Sequence, residues 1–155
     1  MLPFARRIKR NRRGGFEIRL PADERALLRQ TLPQLAAMLD GDLSDPQLRR
    51  LFPTAYAQDE ERERGYQALA REELADRRRS AVATMLATVD ATRLDEEQVT
   101  AWMGAVNDLR LVLGTRLDVS EEMDPAPRAG DPDAPLLALY GYLGFLLETI
   151  VDALG

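Results

Sequence analysis

The side chains that usually carry out nucleophilic, acid–base or metal chemistry are scarce in this sequence. Its 155 residues contain no histidine and no cysteine, which excludes imidazole bases, thiol nucleophiles, disulfides and the usual zinc sites. The acidic residues occur in consecutive runs such as Glu72-Glu73 and Glu121-Glu122. Consecutive residues point in different directions around a helix, so these runs do not converge on one metal ion. We therefore predict a protein that is not an enzyme and that has no metal and no cofactor.

Positive charge is concentrated near the start of the chain, in the stretch RRIKRNRRGG. On a β-ribbon, such side chains can contact phosphates or an acidic protein surface. In the alternative interpretation they form a solvated strand edge that opposes aggregation, or they pair with acidic groups of the same chain. The candidate residues for binding nucleic acid or a partner are Arg6, Arg7, Lys9, Arg10, Arg12 and Arg13.

The charge distribution keeps both interpretations open. Residues 1–20 carry seven basic side chains and one acidic side chain, a net charge of +6, whereas the whole chain has a net charge of −5. Residues 21–155 therefore carry a net charge of −11. Such a split is typical of an interaction arm, and equally of a basic segment that matches an acidic body.

The basic stretch belongs to a predicted β-hairpin. The segment Phe16–Leu20 alternates apolar and charged residues, which is the period of a half-buried strand, and Phe4–Arg10 is a second extended candidate. Asn11, Gly14 and Gly15 tolerate the backbone conformations of a tight connection.

Four principal helices are predicted after the hairpin. The first opens at Pro21, runs to about Asp40 and contains Pro33, where we expect a kink. A long, highly charged helix spans about Asp59–Val89. A third begins after Asp95, which with Gln98 has the spacing of a capping box. The fourth is the strongly apolar LLALYGYLGFLLETIVDAL.

These elements indicate a mainly α fold: a four-helix bundle-like domain with an N-terminal β-hairpin. We expect one domain over residues 1–155, with the basic hairpin in 1–20 and the helical body in 21–155. The last helix is short for a membrane span and is interrupted by Glu148 and Asp152. We interpret it as a core helix or as the interface of a homo-oligomer, and we expect a cytoplasmic protein that does not bind membranes.

Polar residues within the apolar third helix are the remaining candidates for a site. Asn107, Asp108, Arg110 and Arg116 interrupt its apolar face, and Arg110 has the spacing to reach Asn107. One interpretation is a polar pocket. The other, which we favour, is a helix edge at which arginine stems cover apolar neighbours.

Two stretches, LFPTAY (Leu51–Tyr56) and AWMGAVNDLRLVLGTRL (Ala101–Leu117), resemble an actinobacterial family. This is the family of the oxidative-stress transcriptional regulator AosR, formerly a family of unknown function. The opening FEIRL and the apolar final helix fit it as well, so the resemblance covers nearly the whole chain. The positions that carry it are Leu51, Phe52, Pro53, Tyr56, Trp102, Asn107, Asp108, Arg110, Gly114 and Arg116.

The resemblance implies a cytoplasmic regulator of oxidative-stress transcription that contacts a sigma factor or RNA polymerase, and promoter DNA as a further partner. An alternative role that it implies is an adaptor linked to ClpS-dependent proteolysis. Redox sensing in the family is attributed to a cysteine pair. These 155 residues contain no cysteine, so they cannot form a thiol switch of that kind.

Overall fold

Four helices and a small sheet make up the computed structural model, which describes residues 6–52, 61–119 and 130–155, without the side chains of 61–64, 66 and 67. The prediction of a mainly α fold with an N-terminal hairpin is confirmed. The division into domains stays a prediction. The helices are α1 (Ala22–Asp40), α2 (Glu61–Thr88), α3 (Glu96–Arg116) and α4 (Ala134–Leu154), with a short 3-10 helix at Pro46–Leu48.

The sheet contains one strand more than the sequence predicts. Its strands are β1 (Ile8–Arg10), β2 (Phe16–Ile18) and β3 (Arg93–Leu94), and all neighbours are antiparallel in the order β1-β2-β3. Ile8 pairs with Ile18, and Phe16 lies between Arg10 and Leu94. Both predicted strands are longer than the observed ones. The second ends at Ile18 rather than Leu20, and Phe4, the start of the first, lies outside the described residues.

Helix α3 lies at the centre of the fold, where it packs against α2, α4 and α1. Its start confirms the predicted capping box: Asp95 accepts a hydrogen bond from the Gln98 amide nitrogen (2.8 Å), and Gln98 returns one (2.9 Å). Trp102 on its inner face is completely buried, and its indole donates to the Thr88 hydroxyl of α2 (2.8 Å). The helix ends in a Schellman arrangement, with Asp118 at φ 55° and a bond from the Val119 amide to the Gly114 carbonyl (2.9 Å).

Helices α1 and α2 differ in how much of their length they bury. The apolar stripe of α1 is buried at Leu28, Leu32, Leu35 and Leu39, and the helix continues through an exposed Pro33. Among the side chains of α2 that the structure describes, the first buried one is Ala75, and Leu69 is 61% exposed. The charged first half of α2 is thus attached to the core less extensively than its second half.

Helix α4 has one buried stripe, formed by Tyr140, Leu143, Leu146 and Ile150. Its 21 residues are long and apolar enough to cross a membrane by length and composition alone, a test that the core helices of soluble proteins also pass. The helix is two residues longer than the stretch LLALYGYLGFLLETIVDAL that the sequence predicts. It packs against α3 and β1, while Phe145 and Val151 stay partly exposed.

Arginines from other elements contact the C-terminal ends of all four helices in the part of the chain that the structure describes. The last carbonyl groups of a helix lack intrahelical donors and carry partial negative charge, so a guanidinium group stabilises them. Arg79 donates to the Leu39 carbonyl in the last turn of α1 (2.6 Å), and Arg25 to the Val89 carbonyl just after α2 (2.5 Å). Arg50 donates to the Val119 carbonyl just after α3 (2.8 Å), and Arg10 to the Leu154 carbonyl at the end of α4 (3.0 Å). These contacts connect elements that are far apart in sequence.

Candidate interaction surface

The turn of the hairpin is built by a single asparagine. The Asn11 side-chain oxygen accepts hydrogen bonds from the backbone amides of Arg13 (2.9 Å) and Gly15 (3.0 Å). The backbone amide of Asn11 donates to the Gly15 carbonyl (2.8 Å). Gly14 takes φ +83°, a conformation that side chains disfavour. This turn holds Arg12 and Arg13 at the tip of the hairpin, where both are exposed.

Two of the six candidate cations make contacts within the chain. Arg7 forms an ion pair with Glu24 of α1 (2.9 Å) and lies over the Phe145 ring of α4 at 5.2 Å. Arg10 donates to the Leu154 carbonyl and lies over the Phe16 ring at 4.8 Å. The interpretation that the basic segment pairs with its own acidic body therefore holds for Arg7, and both arginines attach the hairpin to the helices.

The Arg7–Glu24 pair lies in a partly buried cluster with Tyr142. The hydrogen bond from Arg7 to Glu24 raises the pKa of the guanidinium. Burial, followed by the nearby Glu24 carboxylate, raises the pKa of the Tyr142 phenol above its usual value. That hydroxyl is buried, and despite the proximity of Glu24 it makes no hydrogen bond of normal geometry. The cluster therefore connects the hairpin to α1 and α4 through one ion pair and one buried phenol.

The other four cations face solvent. The side chains of Arg6, Lys9, Arg12 and Arg13 are exposed, and none of them makes a hydrogen bond or an ion pair with any described residue. We call these four the hairpin cations. Arg6 and Lys9 precede the turn, and Arg12 and Arg13 lie within it, so all four fall within eight residues of sequence. An unpaired cluster of this kind produces a positive potential that attracts acidic partners.

A cleft of about 430 Å³ opens between β1 and the C-terminal half of α4. We call it the hairpin cleft. Arg6, Lys9 and Arg10 form its basic side, and Asp152 is its one acidic side chain. The other lining residues are Ile8, Phe145, Thr149, Ala153 and Gly155. Phe145 is 37% exposed there, an unusual degree of exposure for an aromatic ring beside a cationic surface.

The positions that carry the family resemblance are largely structural. Leu51 and Phe52 are buried, while Pro53 and Tyr56 lie outside the described residues. Arg78 of α2 lies over the Phe52 ring at 5.7 Å and donates to the Leu51 carbonyl (3.4 Å). This arginine holds the segment after the 3-10 helix against the bundle.

Arg78 also forms an ion pair with the buried carboxylate of Asp108 on α3. Asp108 is 1% exposed, and burial raises its pKa while Arg78 opposes that rise. The pair therefore connects α2, α3 and the Leu51-Phe52 segment at one point. Because the Asp108 carboxylate is buried and paired with Arg78, this position has a structural role that connects two helices.

The other polar residues of α3 do not converge on Asp108. Arg110 lies over the Tyr140 ring of α4 at 5.0 Å and makes no hydrogen bond to Asn107, although its spacing would allow one. Gly114 allows close packing, because a Cβ there would lie 2.9 Å from both the Arg50 guanidinium and the Tyr140 ring. The favoured interpretation, in which arginine covers apolar neighbours, fits Arg110.

Arg116 borders a second concavity, of about 320 Å³, between α1, α3 and α4. Leucines, valine and Met38 form most of its surface, with Gln30, Gln34 and Gln47 among the polar residues. Within residues 6–52, 61–119 and 130–155, no three acidic side chains are grouped as metal ligands. The described side chains thus offer two concave surfaces, one bordered by basic residues and one mainly apolar.

Sequence reasoning missed Arg78, Arg50, Glu24 and Tyr140, the partners of the residues that it selected. Arg77, Arg78 and Arg79 are consecutive arginines with different environments, and no local signal shows which of them faces Asp108. Glu24 was interpreted only as an acidic residue at a helix start. Phe145 lies within a run of apolar residues, so the sequence does not show that its side chain is exposed.

Comparison with known sequences gives the family. The chain matches the family described as "Domain of unknown function (DUF2017)" over residues 4–154. The oxidative stress regulator AosR of Mycobacterium tuberculosis (strain ATCC 25618 / H37Rv) is 32% identical over 124 residues, which cover 69% of this chain and 57% of that protein. The oxidative stress regulator AosR of Mycobacterium bovis (strain ATCC BAA-935 / AF2122/97) gives the same values.

A protein of Mycobacterium leprae (strain TN) is 32% identical over 127 residues, covering 71% of this chain and 58% of that protein. Its name gives the AosR role as a suggestion only. The matched part thus spans somewhat more than half the length of these relatives. No solved structure is a significant match. The family resemblance in the sequence is confirmed, and the chain belongs to the DUF2017 family, to which it matches over almost its full length.

Proposed function

We propose that this chain is a non-enzymatic regulator of the oxidative-stress response that contacts a sigma factor or RNA polymerase through its hairpin cations. The observation that carries the proposal is the division of the basic hairpin: Arg7 and Arg10 attach it to the helices, while the side chains of the hairpin cations make no hydrogen bond or ion pair with a described residue. The relatives named oxidative stress regulators supply the biological context.

Physical considerations favour an acidic partner. The hairpin is positioned by Arg7, Arg10 and a buried Ile8, so its exposed cations are presented on an ordered scaffold. Exposed charges at an interface accelerate association and select partners of opposite charge more than they increase affinity. The acidic remainder of the chain repels acidic surfaces, which restricts their approach to the hairpin side.

Direct binding to purified transcription components tests the proposal. The chain is titrated onto immobilised RNA polymerase core enzyme, holoenzyme and isolated sigma factor, in the cytoplasmic range of ionic strength. We expect saturable binding to one of them that weakens as salt is raised, because the interacting groups are exposed charges. No binding to any of the three at cellular protein concentrations contradicts the proposal.

Promoter DNA is the second candidate partner, because the same unpaired cations lie on a two-stranded ribbon. Binding through phosphates predicts a linear fall of log affinity with log salt, and each cation that is neutralised by substitution lowers the slope by about 1. An affinity for duplex DNA that does not depend on salt rules out this mode. No described residue bears on the alternative adaptor role in ClpS-dependent proteolysis, which stays a prediction.

A further inference from the structure

The hairpin cleft combines charge and apolar surface in a way that simple electrostatic attraction does not need. Arg6 and Lys9 provide cations on one side that have no ion-pair partner among the described residues, and the exposed ring of Phe145 lies on the other. Its volume of about 430 Å³ falls within the range of binding clefts, roughly 300–1,000 Å³. A cleft of this kind can admit a side chain of the partner, which a flat charged surface cannot.

From this combination we infer that the hairpin cleft receives an aromatic or large aliphatic side chain from an acidic segment of the partner protein. The inference rests on the proposed function and adds to it the chemistry of the partner: acidic residues that flank one apolar anchor. A few buried anchor residues, often aromatic, carry most of the binding energy of protein interfaces. The hairpin cations attract the acidic residues of the segment, and the cleft binds its apolar anchor.

Two features of the cleft specify its occupant further. One face of the Phe145 ring is covered by Arg7 at 5.2 Å, so an entering aromatic side chain would join an existing cation–aromatic stack. Asp152 lies at the cleft on the α4 side and is exposed. This carboxylate opposes an acidic ligand, so its position favours a segment whose acidic residues lie on the β1 side.

The test uses a labelled peptide, Asp-Glu-Asp-Phe-Asp-Glu, and a second peptide in which Ala replaces Phe. Fluorescence anisotropy measures the binding of each to the full chain. We expect the Phe peptide to bind about tenfold more tightly than the Ala peptide, because only the former buries an aromatic side chain. No binding of the Phe peptide to the unaltered chain overturns the inference.

Filling the cleft provides the matched protein variants. Ala153→Phe places a large side chain in the cleft lining, whereas Val151→Phe adds an aromatic ring to the same helix outside that lining. We expect Ala153→Phe to weaken the Phe peptide about tenfold and to leave the Ala peptide unchanged, and Val151→Phe to change neither. Thr149→Met, a second filling variant, replaces Ala153→Phe if circular dichroism shows that the latter is unfolded. Equal binding of the Phe peptide to the filled and unfilled chains overturns the inference.

Charge variants separate this inference from the proposed function. Asp152→Asn removes the opposing carboxylate and should strengthen the Phe peptide about two- to fivefold, since exposed charge pairs are worth only a few tenths to 1 kcal/mol. If filling the cleft has no effect while neutralising the hairpin cations weakens binding to RNA polymerase or sigma factor, the cleft inference fails and the proposed function stands. If neutralising the hairpin cations weakens binding to neither RNA polymerase nor sigma factor, the proposed function fails as well.

Discussion

The guanidinium group of Arg10 in β1 donates a hydrogen bond to the carbonyl oxygen of Leu154, 144 residues later in the chain, at 3.0 Å. The bond connects the basic hairpin to the last residue of α4, and Arg10 also lines the hairpin cleft. It also shows why the six cations of the basic segment are not equivalent. Arg10 stabilises the surface on which the hairpin cations are presented.

Replacing Arg10 should therefore affect folding more than replacing its neighbours. Arg10→Met removes the bond to Leu154 and the stacking on Phe16, and should lower the free energy of unfolding by about 1–2 kcal/mol. Arg12→Met, at the exposed tip, should change it by less than about 0.5 kcal/mol. Urea denaturation of both variants checks the difference, and equal losses would show that the Arg10 interactions are not formed in solution.

The buried pair of Arg78 and Asp108 should be costly to break from one side. Arg78→Met leaves the Asp108 carboxylate buried without its cation and should lower stability by about 3–5 kcal/mol. The double variant Arg78→Met/Asp108→Asn removes both charges and should recover part of that loss. If the two single variants and the double variant lose equal stability, the pair does not act as a unit.

The same pair predicts a pH dependence whose direction follows from burial. Burial already raises the pKa of Asp108, and loss of Arg78 removes the effect that opposes this rise. A carboxyl group whose folded pKa exceeds its unfolded value favours folding when protonated. The instability of Arg78→Met should therefore shrink as the pH falls through that raised pKa and grow as the pH increases. The double variant with Asp108→Asn lacks the group and is the control.

Gly114 should tolerate a methyl group less well than Gly104, although both lie inside α3. A Cβ at Gly114 would lie 2.9 Å from the Arg50 guanidinium and the Tyr140 ring, whereas the nearest atom at Gly104 is 3.8 Å away. Alanine increases helix propensity equally at both positions. Thermal or urea unfolding should show Gly104→Ala to be more stable than Gly114→Ala by about 1–3 kcal/mol. Equal stabilities would mean that Arg50 and Tyr140 move aside without cost.

The bond between Trp102 and Thr88 provides a test of the packing of α2 on α3. Thr88→Val keeps the shape of the side chain but leaves the buried indole nitrogen of Trp102 without an acceptor, and should cost about 1–3 kcal/mol. Thr88→Ser keeps the hydroxyl and should cost less. Because Trp102 is the only tryptophan in the sequence, its fluorescence follows unfolding directly. A Val variant as stable as the Ser variant contradicts this role.

Local sequence signals predicted local structure well. The Asp95–Gln98 capping box, the alternation in FEIRL and the Asn-Gly turn all act within a few residues, and the structure contains each of them. Strand β3 was missed because Arg93–Leu94 is only two residues long and is defined by pairing with β2, not by its own pattern. The general position of α4 was clear, because its apolar composition extends over many residues.

Interactions between distant elements were beyond the reach of sequence patterns. Asp108 was selected as a polar residue in an apolar helix, but its partner Arg78 lies in another helix, between two further arginines. The distinction between Arg10, which is used internally, and Arg12, which is exposed, depends on where α4 ends relative to β1. The candidate site was thus predicted as a set of charges, and the division of those charges required the fold.

The most direct test of the central claim neutralises three of the four hairpin cations and measures binding to purified RNA polymerase holoenzyme. The variant Lys9→Gln/Arg12→Gln/Arg13→Gln is compared with Arg49→Gln/Arg77→Gln/Arg116→Gln, which removes the same charge from exposed arginines outside the hairpin. Surface plasmon resonance should show about a tenfold or larger loss of affinity for the hairpin variant, mainly through slower association, and little loss for the control. Equal affinities of the two variants for the holoenzyme would contradict the claim that the hairpin cations bind it.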